Sequence, residues 1–320
     1  MTVASPPVVV AVVGPTATGK SDLGVDLAIG LDAEVVNADA MQLYRGMDIG
    51  TAKLSPAERR GVPHHQLDVL AVSEEASVAG YQRHARDDVA AVHRRGRRVV
   101  VVGGSGLYVR ALTDRLDIPP TDALVRADLE AQAATEGPGA LHDALAAVDP
   151  RAAERIGRHN TRRLVRALEV VRLTGRPFSA ALPDHVPLQP TLFIGLDCAR
   201  EVLDRRIADR VDRMWRRGLV DEVRGLVPLG MGRTASRARG YAEVLALLDG
   251  RLTEAEAREA TVTGTRRLAR RQMGWFGRDP RVHWLDAEDP ALADRARGLI
   301  AAADAGTLPA PSAGRRTLGS

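Results

Sequence analysis

The run Gly14-Pro15-Thr16-Ala17-Thr18-Gly19-Lys20-Ser21 satisfies the pattern G-x-x-x-x-G-K-[ST] at every position. An apolar stretch, VVVAVVG (8–14), leads into it, and a helical pattern, SDLGVDLAIGL (21–31), follows. Glycines let the backbone turn its N–H groups around a phosphate, and the start of the helix adds partial positive charge. Lys20 supplies a full charge, and the Ser21 hydroxyl is placed to ligate Mg²⁺. A di- or triphosphate group is the expected ligand. The pattern does not say whether a phosphate is transferred.

A carboxylate follows at the next strand-like run, EVVNAD (34–39), which ends at Asp39 in NADAMQLYRGMDIGTAK (37–53). Open parallel sheets bind ligands beyond the C-terminal ends of their strands, so Asp39 is expected close to the phosphate loop. By residue type it fits three roles: Mg²⁺ ligand, general base or helix cap. A third run, RRVVVVGG (97–104), opens into Gly103-Gly104-Ser105-Gly106. Many nucleotide hydrolases carry a metal-binding Asp at such a strand end; here a hydroxyl and bare backbone stand instead, which argues against simple nucleotide hydrolysis. His64 and His65 point to opposite sides of an extended segment and are not expected to hold a metal.

Elements must hold these residues together. Further apolar runs, TLFIGLD (191–197) and VHWLD (282–286), alternate with helical patterns. Continuous apolar strands separated by helices imply a mostly parallel sheet covered on both faces, so the fold class is α/β with a P-loop core. Residues 121–175 are rich in Ala, Leu, Glu and Arg and lack a strand-like run. Pro119–Pro120 and the proline-containing 177–190 bracket them. The expected organisation is a core from 1–118 and 191–303, a helical insertion over 119–190, and a disordered tail over 304–320.

Composition narrows the class. The 320 residues are 45% hydrophobic and 27% charged, an ordinary globular balance that excludes a mainly disordered chain. No apolar run approaches the length of a membrane span, and the first residues lack a basic segment before the apolar run, so a cytoplasmic protein is expected. The single cysteine, Cys198, excludes an intrachain disulfide. Of 45 basic residues only Lys20 and Lys53 are lysines, leaving 43 arginines. Guanidinium groups suit phosphate, but a net charge of +4 does not establish nucleic-acid binding. Ten aromatic residues are too few for a broad base-stacking platform.

Eight collinear segments resemble the tRNA dimethylallyltransferases, also called tRNA isopentenyltransferases. They are GPTATGKS, DAMQLYRGMDIGTAK, GVPHHQLDV (61–69), VVGGSGLYVRAL, NTRRLVRALEV (160–170), RIADRVDRM (206–214), RGYAEV (239–244) and TRRLARRQMGWF (265–276). The resemblance implies that the phosphate loop, Gly14 to Ser21, binds the pyrophosphate of dimethylallyl diphosphate. It implies that N6 of the adenosine 3′ to the tRNA anticodon attacks C1 of the prenyl group. Asp39 matches the family's base. Arg210 matches an arginine on the leaving pyrophosphate, and Ser105 stands where the family usually has threonine. Mg²⁺ is the implied cofactor, with Ser21 its protein ligand.

The implied partner is the tRNA anticodon stem-loop, contacted by Asp39, Ala40, Met41, Gln42 and Ser105 in the core. In the insertion the implied contacts are Arg126, Arg162, Arg163, Leu164, Val165 and Arg166. Gln42 is a candidate to read the adenine edge, and Tyr44 and Tyr108 are candidate stacking surfaces that also fit a core role. Arg206, Arg210, Arg213 and Arg217 recur on one helical face beside an apolar stripe of Leu203, Ile207, Val211 and Met214; Arg213 and Arg217 read as a solvated face. Arg266, Arg267, Arg270 and Arg271 form a third cluster, plausible for phosphate contact. Competing readings are a prenyltransferase of free adenine nucleotides, a small-molecule kinase with the insertion as a lid, and a nucleotide-gated RNA-binding protein. A monomer is expected; which tRNAs are used, and whether ATP occupies the loop, are not written in the sequence.

Overall fold

The computed structural model of the chain describes residues 8–181, 185–311, 314 and 316–319. Its centre is a six-stranded, fully parallel sheet: β1 (Val9–Val13), β2 (Ala33–Asn37), β3 (His64–His65), β4 (Arg98–Val102), β5 (Thr191–Asp197) and β6 (Val282–Asp286), in spatial order β3-β2-β4-β1-β5-β6. Five of these strands lie at the apolar runs of the sequence. The two-residue β3 does not, because a pair of histidines carries no strand signal and is placed only by pairing with Val35 and Val36.

The helices are α1 (Lys20–Gly30), α2 (Val78–Arg94), α3 (Gly106–Thr113), α4 (Ala123–Glu136), α5 (Pro138–Val148), α6 (Pro150–Ile156), α7 (Thr161–Thr174), α8 (Arg200–Arg216), α9 (Leu219–Leu226), α10 (Tyr241–Leu248), α11 (Glu254–Phe276) and α12 (Leu292–Asp304). Every residue of β1 is buried, from Val9 to Val13, as a central strand covered on both faces requires. Each buried valine stabilises the fold by about 1.5–3 kcal/mol. Gly195 in β5 admits the neighbouring strand: a Cβ there would lie 2.5 Å from Val282 Cγ1 and 2.6 Å from the Trp284 ring.

Two compact units result: the described residues up to Thr113 together with those from Pro187 on, and the stretch Asp114–Val186. The second unit is helical, and it starts and ends a few residues before the proline markers. Its first residues are tied internally, Arg115 N–H donating to Val186 O at 2.8 Å, and Leu116 is buried. In the first unit Leu188 N–H donates to Thr113 O at 2.8 Å, so Leu188 and Thr113 belong to the sheet side. Backbone pairing sets the boundary.

The tail also departs from the expected disorder in its described part. Arg316 N–H donates to Gly277 O at 3.0 Å, and Gly319 N–H donates to Asp197 Oδ2 at 3.2 Å. Leu318 packs with Ala17 and a buried cluster of Cys198, Leu203, Ile207 and Ala269. An apolar side chain and a guanidinium near a buried carboxylate hold a segment whose composition reads as polar linker.

Candidate active site

The phosphate loop joins β1 to α1 and needs three unusual backbone angles: Gly14 at φ 128°, Ala17 at 67° and Gly19 at 84°. Gly14 is also irreplaceable on space, since its Cβ would stand 2.5 Å from Leu196 O of β5. Within the loop Thr18 Oγ1 donates to Pro15 O at 2.9 Å, and the Lys20 ammonium donates to the same carbonyl. Burial, and then the neighbouring Arg210 guanidinium, pull Lys20 down to about 7, against the opposing pull of Asp39. That balance places all three charges in one electrostatic cluster. Ser21, half-buried in the first turn of α1, has no hydrogen-bond partner among the described residues. It borders a cavity of about 20 Å³ with Asn37, Gln42 and His64, room for a water-sized occupant.

Asp39 lies two residues beyond β2, on a turn built by Asn37. Asn37 Oδ1 accepts from Asp39 N–H at 3.0 Å, while its Nδ2 donates to Asp39 O at 3.0 Å and Gln66 O at 2.9 Å. Asp39 Oδ1 accepts from Met41 N–H at 2.9 Å, so one oxygen does cap backbone. The other has no hydrogen-bond partner among the described residues. Capping therefore occupies half of the carboxylate and leaves the other half for chemistry. Ser105 reaches the same turn, its Oγ accepting from Ala40 N–H at 3.3 Å. The glycines around Ser105 are there for close approach. A Cβ would meet Ala38 O at 2.3 Å from Gly103, Gln272 Nε2 at 2.2 Å from Gly104, and the Trp275 indole at 2.1 Å from Gly106.

Arg210, on α8, and Gln42 meet on one acceptor. The Arg210 guanidinium donates to Thr51 O at 3.3 Å and Gln42 Nε2 donates to it at 3.2 Å. Among the described residues no carboxylate lies within ion-pair distance of Arg210. Burial lowers its pKa, and Asp39 opposes that shift. The apolar stripe Leu203, Ile207, Val211 and Met214 is buried as its spacing predicts, while Arg213 and Arg217 face solvent.

Several residues that shape the site went unremarked in the sequence. Gln272, on α11, accepts from Thr16 N–H at 2.8 Å and so fixes the phosphate loop from outside. Its signal was a polar residue in the buried stripe of Ala269, Met273 and Phe276. Lys53 is buried and donates to Tyr44 O, Asp48 and Asp68, closing the loop after Gln42. Tyr44 and Tyr108 take the core role: Tyr44 is fully buried, with its OH accepting from Ala76 N–H, and Tyr108 packs 4.7 Å from the Tyr81 ring. Neither offers a face for stacking. His65 Nε2 lies 2.6 Å from Glu34 Oε2, and His64 Nδ1 donates to Val62 O at 2.8 Å.

The helical unit sorts its own candidates. Arg126 and Arg166 both bind the fully buried Glu169, at 3.1 and 2.7 Å, and Arg166 also donates to Pro119 O and Pro120 O. Their charge holds the unit together. Arg162 and Arg163 are exposed in the first turn of α7, with no side-chain partner among the described residues. Leu164 and Val165, expected among the tRNA contacts, are buried in the unit's core with Leu129, Leu141 and Leu145. Helical periodicity turns them inward as it turns Arg162 and Arg163 outward. In the third cluster Arg266 lies 3.4 Å from Asp204, whereas Arg267, Arg270 and Arg271 are exposed. Among the described residues no helix is long and apolar enough to cross a membrane.

Comparison with known proteins adds an independent line. Residues 42–279 match the family model described as IPP transferase. The chain is similar to the tRNA dimethylallyltransferase of Thermobifida fusca, 61% identical over 91% of this chain and 94% of that protein. The enzyme of the same name from Streptomyces avermitilis is 63% identical, covering 87% and 90%. Among solved structures, the tRNA isopentenylpyrophosphate transferase of Bacillus halodurans is 41% identical with a TM-score of 0.68, over 94% of this chain and 96% of that one. A eukaryotic dimethylallyltransferase acting on tRNA reaches a TM-score of 0.81 at 26% identity, over 96% and 81%.

Proposed function

The chain belongs to the IPP transferase family, and from that premise we propose that it is a tRNA dimethylallyltransferase. It moves the dimethylallyl group of dimethylallyl diphosphate to N6 of the adenosine 3′ to the anticodon and releases pyrophosphate. The observation that carries this reading is the phosphate loop 14–21, turned by positive φ at Gly14, Ala17 and Gly19 at the end of β1, together with Asp39 just beyond β2, whose carboxylate has only one oxygen engaged among the described residues, by Met41 N–H. Alkylation by an allylic diphosphate needs such a proton acceptor together with cations for the leaving pyrophosphate, and Lys20 and Arg210, whose charges act on each other and on Asp39, fit that need.

The adenine amine is a weak nucleophile because its lone pair is delocalised. As the N6–C1 bond forms and the C1–O bond breaks, Asp39 takes the amine proton through its uncapped oxygen. Such base assistance is worth about 10²–10⁴ in rate. Pyrophosphate leaves with added negative charge, which Lys20, Arg210 and the loop N–H groups offset. Ser105 supplies a hydroxyl at the turn that carries Asp39. Gln42, whose amide shares Thr51 O with Arg210, is the candidate reader of the adenine edge. The unpartnered Ser21 hydroxyl fits Mg²⁺, which takes few protein ligands and completes its shell with phosphate oxygens and water. Bound there it would neutralise charge on the diphosphate.

On the tRNA side the exposed Arg162 and Arg163 support phosphate contact with the anticodon arm, and a free nucleotide would have no use for them. Action as a cytoplasmic monomer belongs to the same reading. Incubation with labelled dimethylallyl diphosphate and bulk tRNA tests it: label should appear on tRNA, and Lys20→Ala should abolish it. Label on free adenine nucleotide alone, or phosphoryl transfer from ATP to a small molecule, would replace this reading.

A further inference from the structure

We propose that Glu222 is a positioning residue for Arg210 and Gln42, acting through the backbone of the segment 48–51. The inference rests on the function proposed above. Glu222 sits in the first turn of α9 and takes four donors on its two carboxylate oxygens. Asp48 N–H donates to Oε2 at 3.1 Å and Ile49 N–H to Oε2 at 2.7 Å. Gly50 N–H donates to Oε1 at 3.3 Å and the Tyr241 hydroxyl to Oε1 at 2.5 Å. Three successive N–H groups of one turn are thus held by one side chain more than 170 residues away.

The next residue is Thr51, whose carbonyl accepts from both Arg210 and Gln42. The held N–H groups 48 to 50 fix the turn, and Ala52 N–H, which shares a peptide plane with the Thr51 carbonyl, donates back into it, to Ile49 O at 3.0 Å, so the turn sets the direction of that carbonyl. Its direction then sets where a guanidinium and an amide, neither otherwise bonded through these groups, present their remaining donors. Gly50 tightens the arrangement, because a Cβ there would lie 2.4 Å from the Tyr241 ring. The turn and Tyr241 are in direct contact, and Glu222 bonds both.

Only a carboxylate satisfies this geometry. Glutamine would keep one acceptor oxygen and aim an NH₂ at donors, so some N–H groups would lose their partner. The turn would relax, and the Thr51 carbonyl with it. Displacements of about 1 Å can cost up to about 10²-fold in rate.

The test compares wild type, Glu222→Gln, Tyr241→Phe, Arg210→Ala and the double variant Arg210→Ala/Glu222→Gln, in steady-state transfer from dimethylallyl diphosphate to tRNA. Glu222→Gln should lower kcat about 10- to 100-fold while KM for tRNA stays within about twofold, and Tyr241→Phe should act in the same direction more weakly. In the Arg210→Ala background the share of the Glu222→Gln loss carried by the guanidinium should disappear, leaving only the smaller share carried by Gln42, so the two losses are less than additive. A merely structural Glu222 predicts additive losses that track the folded fraction seen by circular dichroism, and additivity overturns the inference. If Glu222→Gln does not fold, Tyr241→Phe decides: wild-type kcat from that variant overturns it. Wild-type protein that puts no label on tRNA sinks the functional reading, whereas an active wild type with an equally active Glu222→Gln sinks only this inference.

Discussion

Arg210 in the sheet unit and Arg166 in the helical unit are both half-buried arginines, yet their surroundings differ in kind. Arg166 lies 2.7 Å from the buried carboxylate of Glu169, which also takes Arg126 and the Asp122 N–H. Its charge is neutralised within the fold. Arg210 donates to one carbonyl, at 3.3 Å, and has no carboxylate within ion-pair distance among the described residues. Leaving a desolvated cation without a counter-charge costs stability. An anionic ligand would complete such an arrangement, which is the reason Arg210 rather than Arg166 is assigned to the proposed site.

The sharpest way to break that contrast is to remove charges from the sheet unit. Lys20→Ala should nearly abolish prenyl transfer while the tRNA dissociation constant stays close to wild type, because the proposed role of the ammonium is on the diphosphate and not on the RNA. Arg210→Ala should lower kcat by about 10²–10³-fold. It should also leave the melting temperature unchanged or raise it slightly, since a half-buried charge without a counter-charge is gone. Asp39→Asn should cost at least about 10²-fold in kcat with both substrates still bound. Turnover near wild type would return Asp39 to capping Met41.

Glu169→Ala probes the other side. It strands Arg126 and Arg166 and should destabilise the helical unit by about 2–4 kcal/mol, less than a fully buried pair because both arginines are partly exposed. Urea unfolding reads this, and an unchanged midpoint would mean that the buried carboxylate is not what holds the unit.

Smaller effects sharpen the comparison. Replacing Arg162 and Arg163 together by Ala should flatten the salt dependence of tRNA binding by roughly 0.7–0.9 in log K per lost phosphate contact. Arg126→Ala should instead register mainly in stability. An unchanged slope for the double variant would take the exposed face of α7 out of the tRNA contact.

The smallest expected effect is on pH. Lys20 titrates near 7 in the native site, because burial and Arg210 disfavour its charge, whereas the unfolded chain keeps that proton up to about 10.5. Between those values the unfolded state binds more protons, so the stability set by this group rises with pH. Diphosphate binding has the opposite sign: it needs the ammonium, so affinity should weaken above about pH 7 and binding should take up protons. Calorimetry in buffers of different ionisation enthalpy measures that uptake. Its absence at pH 8 would mean that Lys20 is already charged in the free protein.

Much of this was legible in the residues themselves. The apolar runs announce five of the six strands, because a strand covered on both faces must be continuously apolar. The loop 14–21 is written in full because local backbone geometry requires glycine and the ligand requires Lys20. Asp39 and Ser105 follow from their position at strand ends, and the inward and outward faces of α8 follow from helical spacing. The sequence alone could not tell Arg210 from Arg166. Each lies on an amphipathic helix, and whether a carboxylate or a carbonyl waits beside it depends on residues far along the chain. The same holds for Gln272 against Thr16 and Glu222 against the turn 48–50, pairs separated by 256 and more than 170 residues. Leu164 falls by its spacing on a different face of α7 from Arg163 and Arg166, and packing buries it together with Val165. Local pattern determines which elements form and which face turns inward. Which charges stay unpaired is a property of long-range contacts, and only the folded chain decides it.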